Sequence, residues 1–230
     1  MAQTLRLLSR RDVSDSAYVL RLERGDFSFA PGQYLTLGEA GGAETREYSI
    51  YSGMQDPYLE VLIKEVAGGS VSRRLRRLAP GSELRCDGPF GFFTLGNGLA
   101  DRLADEHADR PLLWVATGTG IAPFHSFVTS YGDLDYLLLH GVRAPSECYE
   151  REAYPAERYL ACVSEPNAAM PGPAEHRSFA GRVTAYLRHH AVAAGTRCFL
   201  CGNSAMIFEV FDLLKRQGVP SADIAAEVYF

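Results

Sequence analysis

Nothing in the sequence approaches the ~20 consecutive apolar residues that a bilayer-crossing helix requires. The first residues, Met1-Ala2-Gln3-Thr4-Leu5-Arg6, show neither a long apolar segment nor a small-residue cleavage pattern, so a cytoplasmic protein is expected. A basic excess is also missing. Lysines and arginines number 23 against 28 carboxylates, and a net charge of −5 argues against a general nucleic-acid binder. Cysteine is sparse and scattered at positions 86, 148, 162, 198 and 201. No tight group of three or four can hold an iron–sulfur cluster, and no Cys/His set has zinc spacing, so no metal site is expected. Cys198 and Cys201 do spell a Cys-x-x-Cys, but within an apolar run that reads as a strand. Residues three apart on a strand face opposite ways, which disfavours a dithiol pair. Internal repeats and low-complexity tracts are absent too.

What remains is an ordinary globular composition, 47% apolar and 22% charged, with length enough for two modest domains. From Leu5 to about Leu95 short alternating runs are punctuated by turn residues, the pattern of a small antiparallel barrel or sandwich. One helix interrupts it, with a serine cap in Ser70-Val71-Ser72, apolar Leu75 and Leu78, and a stop at Pro80-Gly81. Residues 96–110 are polar and acidic. Beyond them the text changes to continuous apolar runs at 111–116, 136–140, 158–163 and 197–201, with helical patterns at 124–131, 183–194 and 205–217. Such runs suit buried parallel strands in a doubly wound α/β sheet. The expected organisation is therefore an antiparallel β-barrel over 1–97, a linker at 98–110, and a parallel-sheet domain over 111–230.

Two stretches carry chemistry. Arg46-Glu47-Tyr48-Ser49-Ile50 combines a cation, an aromatic plate and a hydroxyl. On a regular strand Arg46, Tyr48 and Ile50 share one face and Ser49 takes the other, so a common ligand requires a bend or a strand end there. Thr117-Gly118-Thr119-Gly120-Ile121-Ala122-Pro123 follows a buried strand and opens a helix. Glycines there let the backbone approach a pyrophosphate, and the free N–H groups of a helix start favour the anion.

Taken in order, Arg46-Glu47-Tyr48-Ser49, Gly69-Ser70-Val71-Ser72, Gly88-Pro89-Phe90-Gly91, the Gly-Thr-Gly-Ile-Ala-Pro turn, Cys201-Gly202-Asn203 and Glu227-Val228-Tyr229-Phe230 resemble the ferredoxin–NADP reductase family, in its short bacterial form. The resemblance runs essentially end to end. It implies an FAD enzyme passing electrons between NADP(H), or NAD(H), and a one-electron carrier, ferredoxin or flavodoxin. By the same resemblance Arg46 would bind the FAD pyrophosphate, with Val71 and Ser72 at the adjoining helix start; Tyr48, beside Ile50, would lie on the isoalloxazine. Ser49 would hydrogen-bond near N5. Tyr229 would cover the opposite ring face until nicotinamide displaces it, with Phe230 toward the adenine. Thr117, Gly118, Thr119, Gly120, Ser164, Arg182 and Gly202 would line the NAD(P) site, and Arg143, after the strand ending at Val142, suits a cofactor phosphate or adenine and a surface ion pair equally well. Cys201 would abut the nicotinamide C4, and Glu227 would supply protons or couple to the electron partner.

The sequence departs from the family where Glu165 follows Ser164, since an arginine there commonly meets the 2′-phosphate; Arg182 keeps the second cation, and NADP stays narrowly ahead of NAD. Arg73, Arg74, Arg76 and Arg77 cluster beside the flavin helix, where an acidic carrier would be steered, though a solvated helix face reads equally well. A monomer is expected. Two further readings stay open: an NAD(P)H-dependent flavin reductase or oxygenase reductase component, and a non-catalytic nucleotide-sensing subunit.

Overall fold

The structure is a computed structural model that describes residues 3–96, 110–165 and 177–229. Of the linker expected at 98–110 only Arg110 is described, and Phe230 lies outside the described residues. The chain divides into two compact units, 1–98 with 122–132, and 99–121 with 133–230.

In the first unit six strands, β1 (Gln3–Asp12), β2 (Ala17–Glu23), β3 (Tyr34–Glu39), β4 (Arg46–Ser49), β5 (Tyr58–Lys64) and β6 (Glu83–Phe90), form an antiparallel sheet in the order β4-β3-β6-β1-β2-β5. Its two edges meet. Ile50 bridges Val61, and the Tyr51 N–H donates to the Glu60 carbonyl at 2.7 Å, so the sheet closes into a barrel and leaves no open edge at that corner. Alternate residues of each strand point inward to a core that includes Leu7, Leu20, Leu35, Ile50, Val61 and Ile63. Helix α1 (Ser70–Arg77) adds Val71 and Leu75 to that core.

Helix α1 starts differently from the sequence reading. Ser70 is its first helical residue, the preceding Gly69 is extended, and no side chain caps the start. The Ser72 hydroxyl instead accepts the Val66 N–H at 3.3 Å, pinning the loop that enters the helix.

Helix α2 (Ala122–Ser130) also belongs to the first unit. Phe124 and Phe127 pack on Phe93, the Ser126 hydroxyl donates to the Ser52 carbonyl at 2.7 Å, and the His125 ring stacks on Tyr51 at 3.8 Å. A Cβ on Gly53 would stand 2.9 Å from the Thr129 carbonyl, so glycine permits this close approach.

The second unit is a six-stranded sheet, every pair parallel: β7 (Leu112–Thr117), β8 (Tyr136–Val142), β9 (Tyr159–Val163), β10 (Ser178–Ala180), β11 (Arg197–Asn203) and β12 (Ile224–Tyr229), in the order β10-β9-β8-β7-β11-β12. Helices α3 (Val183–His189) and α4 (Ser204–Arg216) pack on it. Sequence reasoning ran α3 on to Ala194. The Gln217 side chain explains the earlier stop: its Nε2 donates to the Leu187 carbonyl at 2.7 Å and its Oε1 accepts the Val192 N–H at 2.9 Å, replacing the helical partners of both. Chain order reverses between β7 and β11, so the carboxyl ends of these two strands flank the crevice where open sheets bind ligands.

Candidate functional site

In the barrel, Arg46 to Ser49 occupy β4, and the regular strand ends there, as a shared ligand requires. Arg46 is exposed and its guanidinium donates only to its neighbour, the Thr45 carbonyl, at 2.8 Å among the described residues. Tyr48 is half-buried against the barrel core, and burial pushes its phenol up to about 12, so the ring stays neutral. Ser49 is buried and pairs in register with Tyr34. Ile50 and Val71 are core residues, so only their main-chain groups are available to a ligand.

Sequence reasoning missed Glu44. Its carboxylate accepts the Ser70 hydroxyl at 2.8 Å and the Arg74 guanidinium at 2.7 Å, at the start of α1. Those two bonds, with Arg46 nearby, hold its pKa below the usual carboxylate range. An oxyanion thus already sits among the hydroxyl, the helix start and Arg46. Free N–H groups and the dipole of a helix start favour an anion there, so the cradle suits a phosphate group. Ser72 can add to it, because its hydroxyl accepts from Val66 and keeps its own proton for donation.

The parallel sheet assembles the second set of residues. Thr117 ends β7, Gly118 to Ile121 form one tight helical turn, and Gly118 has a left-handed φ of 52°. A Cβ on Gly120 would lie 2.4 Å from the Cys201 carbonyl oxygen, and one on Gly202 2.3 Å from the Thr117 hydroxyl. Glycine at both positions is therefore what lets the turn lie directly on the end of β11. The Thr117 hydroxyl also accepts the Asn203 N–H at 2.9 Å, and the Asn203 side chain caps α4.

The last residues supply a sixth strand that periodicity did not reveal. Glu227 lies opposite Cys201 and Tyr229 opposite Asn203 in the β11–β12 register. Cys201 is fully buried; burial first, then the Glu227 charge, lifts its thiol well above the ordinary range, against a hydrogen bond from Tyr229 that lowers it. The other described cysteines are free thiols as well.

Arg143, Ser164 and Arg182 are exposed near the carboxyl ends of β8 and β9 and at the start of α3. The Ser164 hydroxyl donates to the Val142 carbonyl at 3.3 Å, and Glu165 beside it is exposed. Of the arginine cluster, Arg74 pairs with Glu39 and Glu44, Arg76 with Asp12 and Glu65, and Arg73 with Glu65. Arg77 is exposed and makes no ion pair among the described residues.

Residues 4–95 match the family model of an oxidoreductase FAD-binding domain. Ferredoxin–NADP reductase B of Sorangium cellulosum is 31% identical over 97% of this chain and 96% of its own length. The chain belongs to the ferredoxin–NADP reductase family. The electron transfer component of toluate 1,2-dioxygenase from Pseudomonas putida is 30% identical over 95% of the chain, which spans only 65% of that relative. A ferredoxin–NADP+ reductase from Neisseria gonorrhoeae, solved with bound FAD and NADP, superposes with a TM-score of 0.81 at 23% identity, covering 100% of this chain and 99% of that one. The two-domain fold of the family, a barrel followed by a doubly wound parallel sheet, is thus the fold of this chain. No helix among the described residues is long and apolar enough to cross a membrane.

Proposed function

We propose that the protein is an FAD-dependent oxidoreductase that moves electrons between NADP(H) and a one-electron carrier of the ferredoxin or flavodoxin type. The observation that carries this is the group Cys201, Glu227 and Tyr229 on neighbouring strands, set against the glycine turn at the crevice of the parallel sheet. That arrangement offers a nicotinamide a fixed thiol edge, an acid and a displaceable aromatic cover.

Bound FAD would supply a ring that accepts one hydride, an electron pair, and passes the two electrons on singly. The residues of the chain hold and orient. Arg46 and the start of α1, with the Val71 N–H and the Ser72 hydroxyl, bind the pyrophosphate where the Glu44 carboxylate now sits. Tyr48 and Tyr229 offer aromatic faces, Ile50 a main-chain group and Ser49 a hydroxyl to the flavin. Thr117, Gly118, Thr119, Gly120 and Gly202 receive the dinucleotide backbone. Cys201 sets the distance at the reacting carbon, and Glu227 holds a proton or faces the carrier. Arg182, Arg143 and Ser164 read the adenosine end, with Arg182 as the cation for a 2′-phosphate, while Glu165 is the residue that would accept a ribose hydroxyl from NAD(H).

A second reading, the reductase component of an oxygenase system, is favoured by Glu165 together with the likeness to the toluate dioxygenase component. The arginine cluster is weakened as a docking surface by its own carboxylate partners, which leaves Arg77 as its clearest contribution. We place the protein in the cytoplasm as a monomer.

The test is an absorption spectrum of the purified protein, then anaerobic addition of NADPH and of NADH. A flavin spectrum bleached by either supports the proposal, and the faster donor assigns the nucleotide. Protein that is colourless and takes up no FAD overturns it.

A further inference from the structure

His140 lies in the middle of the parallel sheet on β8, and its ring is wholly buried. Both ring nitrogens are engaged. Nε2 lies 2.9 Å from the Gly118 carbonyl oxygen, and Nδ1 lies 2.7 Å from the Tyr159 hydroxyl. A carbonyl can only accept, so Nε2 carries the proton, and Nδ1 must then accept from the tyrosine. Burial holds the imidazole down to about 4, so it is neutral at pH 7 and this tautomer is the one present. The Tyr159 ring meets it edge-on, and the Cys148 thiol hydrogen-bonds the same tyrosine hydroxyl.

The consequence falls on one peptide plane. In a trans peptide the C=O of residue 118 and the N–H of residue 119 point in opposite directions. The His140 bond holds the Gly118 carbonyl toward the buried ring, so the Thr119 N–H points away from it. Gly118 reaches this orientation through its left-handed φ. In the tight turn 118–121 the first N–H groups have no partner within the turn, and Gly118 and Thr119 are only half-buried.

We propose that His140, oriented by Tyr159, is a positioning residue for nucleotide binding: it fixes the 118–119 peptide so that the Thr119 N–H meets the pyrophosphate of the nicotinamide dinucleotide. This rests on the dinucleotide reading of the crevice given above. His140 touches neither nucleotide nor flavin.

The test uses FAD-loaded protein and its variants His140→Leu, His140→Gln and Tyr159→Phe, titrated with NADP+ and with adenosine 2′-phosphate, which has no pyrophosphate. His140→Leu is expected to raise the Kd for the dinucleotide about tenfold while leaving the mononucleotide within about twofold, the loss of one bond to a charged group. The limiting rate of flavin reduction at saturating NADPH should stay close to that of the parent. His140→Gln, whose amide can donate to Gly118, should recover most of the affinity, and Tyr159→Phe should show a smaller loss of the same kind. Equal weakening of both ligands, or unchanged dinucleotide binding in His140→Leu and Tyr159→Phe, overturns the inference. If His140→Leu does not fold, Tyr159→Phe and His140→Gln carry the comparison. Parent protein that binds no dinucleotide removes the functional reading itself, an outcome distinct from a variant that binds as well as its parent.

Discussion

Tyr229 shares a face of β12 with Glu227, the residue opposite Cys201 in the register of two parallel strands, and its hydroxyl favours the Cys201 thiolate against burial and the Glu227 charge. The thiol is thereby covered as well as buried, and its raised pKa leaves almost no thiolate at neutral pH. Tyr229→Ala removes both the cover and the bond. The lost bond by itself lowers the thiolate fraction, so any acceleration reads access: alkylation of Cys201 in the folded protein, followed by peptide mass mapping, should speed up as the sulfur is uncovered. An unchanged rate would show that something else shields the sulfur.

Gly120→Ala places a methyl group 2.4 Å from the Cys201 carbonyl oxygen, and neither backbone can yield cheaply. The turn must lift off β11. Flavin content should remain that of the parent, because the barrel is untouched, whereas dinucleotide affinity should fall by about tenfold or more. Equilibrium titration beside a flavin assay separates the two effects.

Glu44 presents a negative charge where the flavin phosphates are expected, so loading requires its displacement. Glu44→Gln keeps the shape and removes the charge. Its FAD dissociation constant, measured on deflavinated protein, should fall by about threefold at low salt and converge with the parent at high salt, as expected of a screened surface charge. Weaker binding in the variant would mean that the carboxylate organises the cradle instead of competing for it.

The neutral His140 also makes stability depend on pH. Its folded value of about 4 lies below the ordinary imidazole value of ~6.5, so the unfolded chain binds more protons between these limits. This contribution is therefore complete above the upper limit and declines as the pH falls through the window, by about 1.4 kcal/mol per unit. Between pH 7 and pH 5 the parent should lose about 2 kcal/mol more than His140→Gln in urea unfolding. Parallel curves for the two proteins would refute a neutral ring.

Much of the architecture was legible because its signals are strong. Continuous apolar runs such as Leu112 to Ala116 have few alternatives to a buried parallel strand, and the glycine turn follows one directly. β12 escaped notice because Ile224-Ala225-Ala226-Glu227-Val228-Tyr229 is an edge strand whose residues are mostly half-buried, which erases any alternation. The start of α1 misled for a different reason: Ser70 looks like a cap, but its hydroxyl turns to Glu44, a residue 26 positions away. His140 carried a visible clue, an imidazole within an otherwise apolar strand. Only the positions of Gly118 and Tyr159 give it a task.

Helix α2 is counted with the barrel, although the strands on either side of it in the chain, β7 and β8, belong to the parallel sheet. Neither half of the molecule is consequently encoded by one uninterrupted stretch of gene. A barrel fragment cut at residue 98 would be made without the aromatic rings of Phe124 and Phe127 that cover Phe93, and the complementary fragment would carry that greasy helix with nothing to dress it. Recombining the pieces from this protein and a relative will succeed only where residues 122–132 travel with the barrel they were selected to fit.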